Sequence, residues 1–172
     1  TQLYVDDSSF ILREAHKGPI TGITSLSKHI VTVGSDGSLC IWSFSPYFKL
    51  IFKYNFGDDP LTSVCSSSGG YLVALGSTSG IVRIINTSDP TTPILLFRER
   101  LHKLAVTSIT ISSDNIISGS ADGTVVILRN DPLNCFPLIG LLRVNSKIIS
   151  VGIPAPLSDK QQLFIATAHK EV

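Results

Sequence analysis

Short apolar runs, rich in branched side chains, alternate along this chain with clusters of Ser, Thr, Asp, Gly and Pro. The stretch from His16 to Trp42, HKGPITGITSLSKHIVTVGSDGSLCIW, shows the pattern most clearly. Ile20–Leu26 is apolar with Thr and Ser interleaved, Ile30–Val33 is β-branched, and Leu39–Trp42 is apolar again. Ser27-Lys28 and Ser35-Asp36-Gly37 separate the three. Runs of this length between turn residues predict strands. Asp-Gly between two of them predicts a tight hairpin, because Gly adopts φ > 0 with no Cβ to clash. No segment shows the 3.6-residue periodicity of an amphipathic helix.

The pattern recurs. His102-Lys103 follows His16-Lys17 by 86 residues, twice 43, and Asp58-Asp59-Pro60 stands midway. Aligned on that period, the first strands read ITGITSLS from Ile20, LTSVCSSS from Leu61, VTSITISS from Val106 and IISVGIPA from Ile148. The second hairpins read VGSDGSLCIW, LGSTSGIVRII and SGSADGTVVIL. The remaining strands fall at Lys49–Tyr54, Tyr71–Gly76, Ile81–Asn86, Ile94–Arg98, Ile116–Ser118, Thr124–Arg129, Phe136–Leu142 and Leu163–Ala168. Thr1–Val5 and Ser9–Glu14 read as the last two strands of a unit whose start is absent. Ser45-Pro46, Asp89-Pro90 and Asp131-Pro132 mark the loops before outer strands, since Pro cannot donate to a ladder.

A repeat of about 40–45 residues with four strands, a His-x-Gly opening, an Asp-Gly hairpin and a Trp closing the third strand resembles the WD40 repeat. The resemblance implies an all-β, WD40-type β-propeller of about four blades' worth of four-stranded antiparallel sheets. The expected divisions are 1–15 (end of a preceding blade), 16–57, 58–100, 101–143 and 144–172 (start of a further blade). Propellers of this family usually have seven blades, so a portion of a larger propeller is expected. A closed ring with Thr1–Glu14 pairing against Lys147–Ala168, and completion by another chain, stay open.

The resemblance also implies a structural hydrogen-bond relay in each blade. By position it assigns His16, Thr32, Asp36 and Trp42 in one blade, and His102, Ser118 and Asp122 in another, where Leu128 replaces Trp. The middle blade departs from the pattern, with Thr78-Ser79-Gly80 at the turn and Ile85 at the Trp position. A Thr–His–Asp hydrolase relay needs an exposed nucleophile and an oxyanion site. A hydroxyl in mid-strand beside a Trp fits a buried relay better.

Composition narrows the function classes. The chain has 172 residues, 43% hydrophobic and 16% charged, enough for a real core. Net charge is +1, which argues against a dominant polyanionic partner. No apolar run has transmembrane length, and TQLYVDDSS lacks signal-peptide character. Cys40, Cys65 and Cys135 are widely spaced, which predicts buried free thiols in a reducing, intracellular setting, cytoplasmic or nuclear. His16, His29, His102 and His169 lack metal-ligand spacing, so no metal or cofactor is expected. Gly34-Ser35 and Gly119-Ser120 lack the sequence of a phosphate loop.

The resulting expectation is a non-catalytic scaffold that binds other protein subunits in a multi-subunit complex. Contacts are expected from the loops entering each blade, at Lys17, Asp58, Asp59, Lys103 and Lys147, and from the hairpin turns, at Ser35, Thr78 and Ala121. The alternative is a nucleic-acid-associated subunit in RNA processing or transcription, using basic loops. Arg98, Arg100 and Lys103 form a local basic cluster, read as a solvated edge strand or as a patch for an acidic partner or RNA. With Phe97 alone nearby, base stacking has little support.

Overall fold

The computed structural model describes residues 15–45, 48–153 and 163–168. The strands expected at Thr1–Val5 and Ser9–Glu14, the break at Pro46, the long turn after Ile153 and His169 lie outside the described residues.

Three four-stranded antiparallel sheets and one two-stranded sheet follow one another along the chain. The first blade is β1 (Ile20–Leu26), β2 (His29–Gly34), β3 (Ser38–Ser43) and β4 (Lys49–Asn55). The second is β5 (Leu61–Ser66), β6 (Leu72–Ser77), β7 (Ile81–Asn86) and β8 (Ile94–Arg100). The third is β9 (Val106–Ile111), β10 (Asn115–Ser120), β11 (Thr124–Arg129) and β12 (Leu138–Arg143). β13 (Ile148–Gly152) pairs with β14 (Phe164–Thr167). In each full blade every strand pairs only with its neighbours in sequence, so the sheet is a meander. Packing runs from each blade to the next through β1, β5, β9 and β13, and among the described residues the row of sheets does not close into a ring.

The core lies between blades, and the two-residue period of a strand explains how it is filled. Along β6, Val73 and Leu75 point toward the first blade and join Val31, Val33, Leu39 and Ile41. Leu72 and Ala74 point the other way and join Val106, Ile109 and Ile116 of the third. Ile117 and Val125 then meet Ile148 and Val151. Both faces of a middle sheet are therefore covered, which is why its strands are nearly continuous apolar runs.

Threonines in the inner strands tie the sheets together. Thr21 Oγ1 donates to the Leu61 carbonyl at 2.7 Å, Thr62 Oγ1 to Val106 at 2.5 Å and Thr107 Oγ1 to Ile148 at 2.7 Å. The hairpin glycines do a second job. Gly37 and Gly123 sit at φ +73° and +80°, and a Cβ there would come within 2.4 Å of the Gly57 and Val144 carbonyls. Turn conformation and the close approach of the chain leaving β4 or β12 both demand glycine.

Three sequence expectations need correction. Strand β12 begins at Leu138, not Phe136. Pro132–Asn134 forms a 3-10 turn capped by Asp131, and Cys135 and Phe136 follow at φ 54° and 52°. That kink turns Phe136 inward, where it is buried in an edge-to-face pair with Phe97. The thiols also differ: Cys40 is buried, Cys65 half-buried and Cys135 exposed on the outside of the kink. Finally, β8 extends to Arg100, beyond the expected Arg98, because pairing to β7 continues through Ile81.

Candidate functional site

In each full blade the hairpin between the second and third strands leans against the incoming loop. Ser35 N donates to the Pro19 carbonyl, Thr78 N to Pro60 and Ala121 N to Ala105, each at 2.9 Å. Three turns and three loops are thereby joined into one face.

In the first blade this joint is reinforced by side chains. Asp36 accepts from Lys17 N at 2.7 Å, from Ser38 N at 3.1 Å and from Ser38 Oγ at 2.9 Å. His16 Nδ1 is 3.4 Å from Asp36 Oδ1, and its Nε2 is 2.8 Å from Thr32 Oγ1. Trp42 Nε1 donates to the same Thr32 oxygen at 2.9 Å. One proton arrangement satisfies the chain: Trp42 donates to Thr32, Thr32 to His16 Nε2, and His16 Nδ1–H to Asp36. Phe48 stacks on Trp42 at 5.4 Å. Burial raises the Asp36 carboxyl, but the hydrogen bonds from Lys17 and Ser38 outweigh it and hold the group at about 2.

The third blade brings His102, Ser118 and Asp122 together differently. His102 Nε2 is 2.8 Å from Ser118 Oγ, but its Nδ1 is 3.9 Å from Asp122 Oδ1. Thr124 Oγ1 stands between them, 2.7 Å from His102 Nδ1 and donating to Asp122 Oδ1 at 2.5 Å. Asp122 also accepts from Lys103 N at 2.6 Å. Burial raises its carboxyl, and the Thr124 and Lys103 bonds bring it down to about 2. Burial lowers His102, an effect partly offset by the Asp122 charge. Leu128, at the Trp position, joins buried Phe136 in the apolar cluster. Thr124 was missed in the sequence, although Asp-Gly-Ser and Asp-Gly-Thr at the two turns carry the signal.

The second blade keeps the position and reverses the charges. Asp59 sits 43 residues from both His16 and His102, where the histidine would be. It accepts from Arg83 Nη2 at 2.7 Å and from Ser79 N at 3.3 Å. Burial raises the Asp59 carboxyl, and the Arg83 and Ser79 hydrogen bonds turn the net shift downward. Arg83, on β7, has a side chain only 2% exposed and lies over the Phe56 ring at 4.7 Å. Nothing in the apolar context of IVRII singles out this arginine in sequence. Asp59 is consequently engaged inside the fold, unlike the free contact expected of it.

The other candidate contacts lie where the loops put them. Lys17, Asp58, Thr78, Lys103 and Lys147 are exposed; Ser35 and Ala121 are half-buried in the turns. The basic cluster splits: Arg98 faces the gap between blades one and two, whereas Arg100 reaches the Lys103 carbonyl at 3.4 Å.

The hydrolase geometry is not met. Thr32 is 2% exposed, and its oxygen already accepts from Trp42. The inner strands β1, β5, β9 and β13 carry Thr, Ser, Gly, Cys and aliphatic residues without a carboxylate. Among the described residues no group of three His, Cys, Asp or Glu side chains gathers as metal ligands. Nor does any helix there have the length and apolarity to cross a membrane.

Residues 8–43 and 95–127 match the family described as "WD domain, G-beta repeat". No curated protein matches the chain in sequence. Among solved structures, U3-55K superposes with a TM-score of 0.69 at 16% identity, over 79% of this chain and 43% of that one. The RRP9 WD40 repeats give 0.69 at 16%, over 79% and 42%. The Chaetomium thermophilum Sqt1 bound to the N-terminus of the ribosomal protein L10 gives 0.69 at 21%, over 80% and 40%. These likenesses concern the fold, and this chain spans about two fifths of the length of each.

Proposed function

We propose that this chain, a row of WD40-repeat propeller blades, is a non-catalytic scaffold that holds other protein subunits in a larger assembly. The observation that carries this reading is the face built from turn-to-loop bonds in three successive blades. One backbone hydrogen bond per blade ties each turn to its loop, so the face presents side chains from separate blades at a set spacing. Rigid, preformed surfaces bind without the ordering cost of a loop that must fold. Lys17, Lys103 and Lys147 from the incoming loops, with Asp58, Thr78, Ser35 and Ala121, are the proposed contacts. Sqt1, which shares the fold, is described in complex with the N-terminus of another protein.

The remaining blades of the ring come, in this reading, from further sequence or from a second chain. Three free cysteines suit a reducing compartment, so a cytoplasmic or nuclear location is part of the proposal.

The test is capture of the full-length protein from its native cells, followed by mass spectrometry, for the parent and for a Lys17→Glu/Lys103→Glu double variant. A constant set of protein subunits, lost or depleted in the variant while its melting temperature holds, is the expected result. Capture of no subunit, or of the same set by both proteins, overturns the proposed face. Recovery dominated by RNA that is released by nuclease and by salt would favour the nucleic-acid alternative.

A further inference from the structure

Among the described residues, the gap between the first two blades holds one more cation than it has paired carboxylates. It is a cavity of about 380 Å³ between β4 of the first blade and β7–β8 of the second. Its walls include Phe52, Tyr54, Ile85 and Leu95 together with Arg83 and Arg98. Arg83 and Arg98 are direct cross-strand partners, so both side chains leave the sheet on the same face. Like charges placed opposite each other repel unless an anion lies beside them.

One carboxylate is present, and it is used. Asp59 takes Arg83 Nη2, while Arg83 Nε and Nη1 have no hydrogen-bond acceptor among the described residues. Arg98 is exposed and pairs with no carboxylate among the described residues. Two cations therefore share one acid. The apolar walls are also open, with Tyr54 52% and Leu95 47% exposed. An inorganic anion would satisfy Arg98 and leave those walls wet. A purely apolar ligand would cover the walls and leave Arg98 unpaired. A polypeptide with an acidic residue beside an apolar one satisfies both.

We propose that this cavity docks an acidic segment of a partner protein, seating an apolar side chain against Tyr54, Ile85 and Leu95 and a neighbouring carboxylate on Arg98. Arg98 makes the direct ion pair. Arg83, shut behind the wall and paired with Asp59, leaves Arg98 as the cation that the segment meets. The cavity adjoins the loop into the second blade through Asn55 and Phe56, but neither Lys17 nor Lys103 lines it, so the loop-face variant and the Arg98 variant read different surfaces.

The experiment is a calorimetric titration of the full chain with the peptide acetyl-Asp-Phe-Glu-Leu-Asp-amide and with its Asn/Gln counterpart. The acidic peptide is expected to bind about tenfold more tightly than the neutral one. Arg98→Gln should weaken it by about three- to fivefold with melting unchanged, since an exposed cation is removed from direct contact. Arg143→Gln, the same charge change on exposed β12, should leave it unaltered. Equal binding of the two peptides, no binding of the acidic one, or equal effects of the two arginine variants overturns the proposal. So does preference for a single-stranded RNA over the peptide. Subunit capture through the loop face is read separately and is untouched by these outcomes.

Discussion

Asp59 and Arg83 are 24 residues apart in the chain and 2.7 Å apart in the fold. The pair stands where the flanking blades place a histidine relay, and it joins the incoming loop to the third strand. Removing one member of a buried ion pair leaves the other charge stranded. Asp59→Ala should therefore cost about 3 kcal/mol in chemical denaturation. Asp59→Asn combined with Arg83→Met, which removes both charges, should recover most of that loss. A single variant as stable as the parent would deny the pair its place in the core.

Thr62 bonds the Val106 carbonyl of the next blade, as Thr21 and Thr107 do for theirs. Thr62→Val keeps the shape and removes the donor. The expected loss is about 1 kcal/mol, read as a lower urea midpoint at unchanged slope. An unaltered midpoint would mean that apolar packing alone holds neighbouring inner strands together.

Thr124 couples His102 to Asp122, whose side chains do not meet directly. Thr124→Val should destabilise the fold by about 1–2 kcal/mol, because a buried ring nitrogen and a carboxylate both lose a partner. Thr124→Ser retains the hydroxyl and should lie close to the parent. Equal losses in the two variants would point to the methyl group and its packing.

Acid should weaken the fold in two stages. His102 is held below its ordinary value by burial, so the unfolded chain takes up its proton first. Stability is then greatest at neutral pH and declines as pH falls below about 6.5. Asp36 and Asp122 are held at about 2 in the folded chain. Their contribution is complete above the ordinary carboxylate value of about 4 and is lost as pH falls from there toward 2. Melting temperature against pH should show both declines, and His102→Gln should remove the upper one alone. A profile that stays flat from pH 7 to 5 would contradict a neutral, buried His102.

Much of the candidate site was legible through the resemblance, because Thr32, Asp36 and Trp42 sit at short offsets in one hairpin and His16 in the loop that enters the blade. His16, Thr32, Asp36 and Trp42, assigned by the resemblance, each lie within hydrogen-bonding reach of another of the four, since β2 and β3 pair across a three-residue turn and the loop before β1 folds back on it. Thr124 was readable in principle from its place after Asp-Gly. Arg83 was not: an arginine within an apolar strand gives no sign of whether it faces solvent, an acid or a ring. Phe136 was misplaced because strand propensity says nothing about a residue held at positive φ after a 3-10 turn.

The 43-residue period, the approximate strand positions and the glycine hairpin turns were determined by the sequence alone. They depend on the two-residue alternation of side chains and on the φ freedom of glycine, both local properties of the backbone. Only the tertiary structure decided what faces each sheet. Stacking one blade on the next chooses which of two alternating rows is core. It brings Asp59 to Arg83, Thr21 to Leu61, and Arg98 to the edge of a cavity walled by another blade. Those neighbours come from separate sheets or from residues 24 to 40 positions apart. No local rule of pattern reaches that far, because the energy that joins them is released only when whole sheets pack.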